Sequence, residues 1–148
     1  MKVRIELDPQ MDEPEMIIRA PRLTEDVARL QQLILEQKMT PLTFYKDRSE
    51  YFVDVSEILF FETDGEKIYG HTKEEAYEVR QELYELEEIL PIAFCRISKS
   101  TIVNTKQIYS IEKSFSGTST VNFYQTHKQV HVSRHYYQLL KERLKEMR

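Results

Sequence analysis

The sequence predicts an α+β fold in which strands dominate, and three observations carry that expectation. Short runs rich in aromatic and β-branched residues (LTFY, YFVDV, ILFFE, KIYGH, then IAFCRI, STIVN, QIYSIEK, STVNFY and KQVHVS) are separated by charged or small-residue turns. Two longer stretches, after Thr72 and after Ser133, instead space their apolar residues by three and four. Strands and helices do not alternate in the long regular way that a doubly wound nucleotide-binding sheet requires.

Residues 1–40 read as a small unit of their own. Val3, Ile5 and Leu7 alternate with Lys2, Arg4, Glu6 and Asp8, the period-two pattern of a strand with one buried face. After DPQMDEP, Met16 to Arg19 reads as a second short strand, and Thr24 can cap a helix carrying Leu23, Val27, Leu30 and Ile34 that Pro41 stops. So short a β-β-α extension cannot hold a core alone, and is expected to brace the remainder or to pair two copies.

Residues 41–148 form the expected main domain. Asp64-Gly65 is a hairpin signal between two strands. Thr72-Lys73-Glu74-Glu75 reads as a capping box opening a helix from Lys73 to Leu90, with Ala76, Val79, Leu83, Leu86 and Leu90 on one face and most of its glutamates on the other. Pro91 ends it. Ser116-Gly117-Thr118 reads as a turn, and Ser133 as the cap of a last helix whose Tyr136, Leu140, Leu144 and Met147 share a face.

Composition narrows the function. With 148 residues, 41% hydrophobic and 31% charged, the chain is one compact domain with or without an appended segment, and it needs no disulfide or metal staple. The single cysteine, Cys95, offers no disulfide framework and suits a reducing cytoplasm. No apolar run approaches the roughly 18 residues of a membrane span, and MKVRIELDPQ lacks a signal-peptide core, so a soluble cytoplasmic protein is expected. The net charge of -4 hides a division: from Arg96 to Arg148 ten Lys/Arg face Glu112, Glu142 and Glu146, a net +7, whereas the preceding residues carry 11 basic and 22 acidic groups, a net -11. A polyanion would meet the basic part.

Catalytic patterns are missing. There is no glycine-rich phosphate loop, no Gly-x-Ser-x-Gly and no Cys-x-x-Cys, and three glycines could scarcely build such loops. His127, His131 and His135 fall four apart, but VHVS alternates like a strand and the helix starts only at Ser133, so the rings should not converge on a metal. The expectation is no enzyme, no cofactor, no metal and no small-molecule substrate.

Two basic clusters stand out. Arg134 and His135 occupy the first turn of the last helix, where cations meet the positive end of the helix dipole and cost about 0.3–1 kcal/mol each. An anion docking there would explain them, a nucleic-acid phosphate or base edge above all; an internal carboxylate would do the same. The second cluster is Arg96, Ser98, Lys99, Ser100 and Lys106 in CRISKSTIVNTK. Its serines suggest that the strand breaks there, presenting hydroxyl, amide and ammonium donors to a phosphate.

These residues resemble a family. FCRISKSTIVNTKQIYSIEK, followed about twenty residues later by QVHVSRHYYQLLKERL, is similar to the LytTR family of bacterial DNA-binding domains, as is the upstream strand pair ILFFETDGEKIYGHT. The resemblance spans about Leu42 to Arg148 and implies an elongated, mostly β fold with a C-terminal helix that reads DNA with loops and the start of that helix. It implies contacts from the neighbourhood of Lys67, from Ser98 and Lys99, and from Arg134, to which the two basic clusters read above add Ser100 and His135 as DNA-binding candidates. One departure stands out: many members have His-Arg-Ser or His-Asn-Ser where this chain has Ser98-Lys99-Ser100, which leaves base preference there open while phosphate contact by Lys99 stands.

The resemblance further implies a stand-alone transcription regulator without a receiver domain, working on double-stranded promoter DNA with repeated half-sites as a homodimer, with a regulatory membrane protein as a further partner. The rival reading is a protein-interaction module that uses the acidic helix 73–90.

Overall fold

The computed structural model describes residues 2–37 and 42–147, and these fall into two compact units divided after Gln37.

In the first unit the expected helix forms as α1 (Glu25–Gln37). The Thr24 hydroxyl accepts from the Val27 amide at 3.3 Å, and Glu25 and Asp26 place negative charge at the positive end of the dipole. The expected stop at Pro41 lies outside the described residues. The two expected strands are corrected: residues 2–24 contain none. Val3, Ile5 and Leu7 are 89%, 83% and 90% exposed. Alternation defines two faces, but a strand exists only when a neighbour takes its amides and carbonyls, and this unit supplies none.

Among the described residues the second unit contains ten strands: β1 (Phe44–Lys46), β2 (Ser49–Tyr51), β3 (Phe60–Asp64), β4 (Lys67–His71), β5 (Ala76–Val79), β6 (Phe94–Ser98), β7 (Thr101–Asn104), β8 (Ile108–Lys113), β9 (Ser119–Phe123) and β10 (Gln129–Val132). Helix α2 (Leu83–Ile89) lies between β5 and β6, and α3 (Arg134–Met147) follows β10. Seven strands form one antiparallel sheet in the order β2-β1-β5-β4-β3-β7-β6, and β10-β9-β8 form a second.

Alternation along the central strands sorts the core. Phe60, Cys95, Ile97 and Val103 face one way, packing with Ile108, Val121, Phe123, Val130 and Val132 of the small sheet and with Leu140 of α3. Phe61, Phe94 and Ile102 face the other way, against Phe44, Ile68 and Val79 and against Leu83 and Leu86 of α2. Strands β3, β7 and β6 are thus buried on both faces, which accounts for their nearly unbroken apolar runs. Gly70 has a packing reason: a Cβ there would lie 2.9 Å from Phe61 Cε1 and 3.1 Å from Phe44 Cε1.

The helix expected over 73–90 is half corrected. Ala76–Val79 is strand β5, paired with β4 from His71↔Ala76 to Ile68↔Val79, and only Leu83–Ile89 is helical. The Thr72 hydroxyl does accept from the Glu75 amide at 3.0 Å, but the Thr72 amide donates to the Glu75 carbonyl at 3.0 Å, so the motif closes a turn between strands. Pairing with the open edge of β4 outweighs helix propensity over this segment, which includes Tyr77 and Val79. The residues that do cap α2 are Glu82 and Glu85, the Glu82 amide donating to Glu85 Oε1 at 3.3 Å. The YFVDV run is likewise only partly extended: beyond β2, Val55–Glu57 is a 3-10 turn capped by Asp54, whose carboxyl the Ser56 amide and hydroxyl hold below its ordinary pKa. The Asp64-Gly65 signal holds: Asp64 pairs with Lys67, and Gly65 takes the left-handed φ of 66° that the tight connection demands.

Polar contacts tie the β4–β5 turn to the β9–β10 connection. Lys73 Nζ donates to Gln125 Oε1 at 3.0 Å, Thr126 Oγ1 to the Lys73 carbonyl at 3.0 Å, and Lys128 Nζ to the Glu75 carbonyl at 2.7 Å. Lys46 is paired with Glu75. Beside them His71 stacks on Phe60 with centroids 4.3 Å apart, its Nδ1 3.3 Å from Lys128 Nζ and its Nε2 2.8 Å from Glu62 Oε1. No helix among the described residues is long and apolar enough to cross a membrane.

Burial holds the His71 pKa below the ordinary histidine value, Glu62 working against the shift and Lys128 with it. The folded site therefore binds fewer protons than the unfolded chain, so stability is unaffected by His71 well above about pH 6.5 and falls as the pH drops through that value. Urea unfolding at pH 7.5 and 5.5 should show His71→Gln losing less stability than the parent over that interval; an equal loss in both would refute this role.

Candidate nucleic-acid interface

Strand register brings the predicted basic segments to one end of the second unit. Strand β3 pairs with β7 from Phe60↔Val103 to Glu62↔Thr101, and the Thr63 amide donates to the Ser100 carbonyl at 2.9 Å. The β3–β4 and β6–β7 turns therefore share an end of the large sheet, opposite the β4–β5 turn. The Ser133 amide donates to the Ile97 carbonyl at 3.0 Å, which seats the start of α3 beside the last residues of β6. Strand β10 ends where β9 begins, Val132 pairing with Ser119, so the 114–118 loop reaches the same end.

The β6–β7 turn breaks as the serines predict. A register shift between Arg96 and Ser98 marks a bulge, and Lys99 and Ser100 form an exposed two-residue turn. Ser98 Oγ accepts from the Ser100 amide at 3.2 Å. Arg96 fixes this turn from beneath: its Nε donates to the Ser98 carbonyl at 2.7 Å, its Nη2 to the Lys99 carbonyl, and its Nη1 to Glu87 Oε1 of α2 at 2.5 Å. Sequence reasoning placed Arg96 in the cluster but not as the residue that shapes it. Only the tertiary approach of α2 supplies Glu87.

At the start of α3, Arg134 and His135 are both exposed. Arg134 Nη2 donates to the Ser116 carbonyl at 2.6 Å, and its guanidinium lies over Gly117, where a Cβ would come within 2.1 Å of Nε. No carboxylate lies within 4 Å of Arg134 or Lys99 among the described residues. The alternative of an internal acid partner for Arg134 therefore falls away. Ser133 precedes the helix as expected, but its Oγ is enclosed without a hydrogen-bond partner among the described residues; its carbonyl accepts from the Tyr136 and Tyr137 amides, each at 3.1 Å. The helix start keeps its positive dipole end with no acid in the first turn. The His135 ring meets Tyr136 edge-on at 5.1 Å.

Two contributors went unread as such in the sequence, Lys113 altogether and the 114–118 loop beyond its being a turn. Lys113 Nζ sits 4.9 Å from the Tyr137 ring centroid, placing another cation beside the helix start. The 114–118 loop carries a hydroxyl network, Ser114 Oγ lying 2.7 Å from Ser116 Oγ and donating to the Thr118 carbonyl at 2.7 Å. Lys67 is less available than expected: it stands 3.5 Å from Glu78 Oε2, with Asp64 as its cross-strand neighbour. Lys106 lies at the other end of β7, in a 3-10 turn. Arg143 of α3 donates to the Ile92 carbonyl at 2.6 Å and holds α3 along β6.

A strand-rich domain presenting a bulged Ser-Lys-Ser turn and a cationic helix start matches one family pattern, that of the LytTr DNA-binding domain, over residues 48–145. The chain belongs to the LytTR DNA-binding domain family. A LytTr DNA-binding domain from Bacillus cereus shares the fold, with a TM-score of 0.65 and 24% identity over 71% of this chain and 97% of that one. Uncharacterised regulators of Staphylococcus aureus strains NCTC 8325 / PS 47 and COL, named as HTH-type transcriptional regulators, are each 28% identical over 145 residues, covering 97% of this chain and 98% of theirs. This LytTR chain is a DNA-binding transcription regulator. Among its described residues strands separate each α-helix from the next, so no helix-turn-helix pair is formed.

Arg96→Lys keeps the charge but loses the fork that spans two carbonyls. The 98–100 amides should then exchange with solvent faster while β6 and β7 keep their protection, with DNA affinity falling about tenfold. Unchanged exchange in the turn would remove the positioning role.

Proposed function

We propose that this regulator meets double-stranded DNA with the end of the sheet that carries the Ser98-Lys99-Ser100 turn, the 114–118 loop and the start of α3. The supporting observation is the Ser133 amide bond to the Ile97 carbonyl, which joins two segments 30 or more residues apart in the chain into one cationic surface. At the opposite end of the sheet, where Lys106 also lies exposed, three cations are used internally: Lys46 by Glu75, Lys128 by the Glu75 carbonyl and Lys73 by Gln125. Lys99 has no acid partner among the described residues, and Arg134 donates only to a neutral carbonyl, so its charge remains available for phosphate or a guanine edge. In this reading Arg134 and His135 read or anchor the duplex from the helix start, Ser98, Lys99 and Ser100 grip phosphate, and Lys67 contributes at the margin.

The protein works as a binding module in the cytoplasm, without a catalytic step, and two copies occupy repeated half-sites, because one small module rarely supplies the affinity of a promoter site. The rival reading, a partner-binding acidic helix over 73–90, loses its scaffold, since Ala76–Val79 is a strand in the large sheet.

Binding to sequences selected from a random duplex pool provides the test. Arg134→Ala should cost about 1–3 kcal/mol on the selected sequence and narrow its margin over unrelated DNA. Lys99→Ala should weaken all sequences alike and lower the log–log salt slope by about one. Variants that bind like the parent would overturn the assignment of this surface.

A further inference from the structure

The exposed segment from Lys2 to Asp8 has a property that the DNA surface does not use. Its apolar residues Val3, Ile5 and Leu7 lie almost fully in solvent, in a chain whose other unit buries its central strands on both faces. The segment is self-complementary in charge. Laid antiparallel on a second copy with Ile5 opposite Ile5, it sets Lys2 against Asp8, Val3 against Leu7 and Arg4 against Glu6. Even-numbered residues then make four oppositely charged cross-strand pairs on one face, and the aliphatics meet on the other.

The register is specific. Sliding by two residues one way places Arg4 opposite Arg4, and sliding the other way places Glu6 opposite Glu6. A parallel in-register pair would align Lys2 with Lys2 and Asp8 with Asp8. A one-residue slip would mix the charged and aliphatic faces. Pairing within the chain to Met16–Arg19, the other segment with strand character, does not occur in this unit.

We propose that residues 2–8 form an isologous antiparallel strand pair with a second copy of this chain, with Ile5 on the two-fold axis. Such a pair satisfies the backbone groups of residues 2–7, which no neighbour takes among the described residues, the Asp8 carbonyl already accepting from the Met11 amide at 3.2 Å, and it closes as an isologous dimer that brings two DNA-binding units together. A two-stranded ribbon alone is marginal. Its aliphatic face needs covering, and the first unit carries the apolar stripe of α1, Val27, Leu30 and Ile34, to do it. The inference rests on the homodimer reading above and supplies its interface.

Sedimentation equilibrium of the full chain without DNA is the test. The parent should dimerise at micromolar concentration. Arg4→Glu and Glu6→Arg, each creating two like-charged pairs across the axis, should weaken the dimer about tenfold, and the double exchange should restore it to near the parent value. Ile5→Cys should give a reducible dimer under mild oxidation, since residues opposite each other stand at about 4.5–5.5 Å, while the buried Cys95 stays out of reach. A monomeric parent, single reversals without effect, or an exchange that fails to restore dimerisation would overturn the interface. Binding to a single half-site, measured separately on the same variants, shows whether the DNA assignment stands regardless.

Discussion

Strand β6 is the member on which the rest of the structure depends. It is buried on both faces, Phe94 against the α2 side and Cys95 and Ile97 against the small sheet and α3. Carbonyls in and beside it anchor what surrounds it. The Ile97 carbonyl takes the amide of Ser133 and the Ile92 carbonyl, just upstream, takes Arg143, so α3 is held at two points along the strand. Packing of this kind leaves α3 little room to slide, because any shift would uncover Leu140 and break both hydrogen bonds. The position of Arg134 relative to the 98–100 turn follows from that restraint.

The charge distribution then acquires a direction. A net charge of -4 says little about a DNA partner, and even the basic C-terminal part from Arg96 onward mixes cations with different duties. Arg96 is engaged by carbonyls and Glu87, Lys128 by Glu75 and His71, and Arg143 by Ile92. Lys99, Lys113 and Arg134 remain towards the α3 start, Lys113 beside the Tyr137 ring and Arg134 on the Ser116 carbonyl, none of them within 4 Å of a carboxylate among the described residues. A phosphate backbone favours such unneutralised cations, whereas a folded protein gains nothing from them at a helix N-terminus. Arg96 contributes differently. By holding two successive carbonyls of the turn, it makes a bulged strand end into a defined donor array, and its support reaches back to α2.

Periodicity read the faces of elements better than their conformations. Val79, Leu83 and Leu86 do share one cluster, as their spacing implied, yet the first belongs to a strand and the others to a helix. A spacing of three or four cannot tell a continuous helix from a strand followed by a short helix when both deliver side chains to one core. Thr72 and Glu75 form the hydrogen bond that a capping box would use, because the same local geometry also closes a turn between strands. In residues 2–8 the alternation was legible, yet no strand forms there among the described residues, since pairing is a relation between two segments that one pattern cannot supply. The basic clusters around Ser98 and Arg134 were legible as chemistry, but Lys113 gave no local signal, the 114–118 loop gave only that of a turn, and Lys67 gave one that Glu78 weakens.

From residue order alone came the strand-rich class, the position of the last helix, the break after Ser98 and the two cationic segments, all set by local spacing and by what each side chain can donate. Tertiary structure decided the rest: that Ala76–Val79 pairs as a strand, that Arg96 is a brace, and that segments separated by more than thirty residues form one surface. Those outcomes depend on long-range hydrogen bonds and shared burial, and no local pattern encodes which distant carbonyl an amide will find.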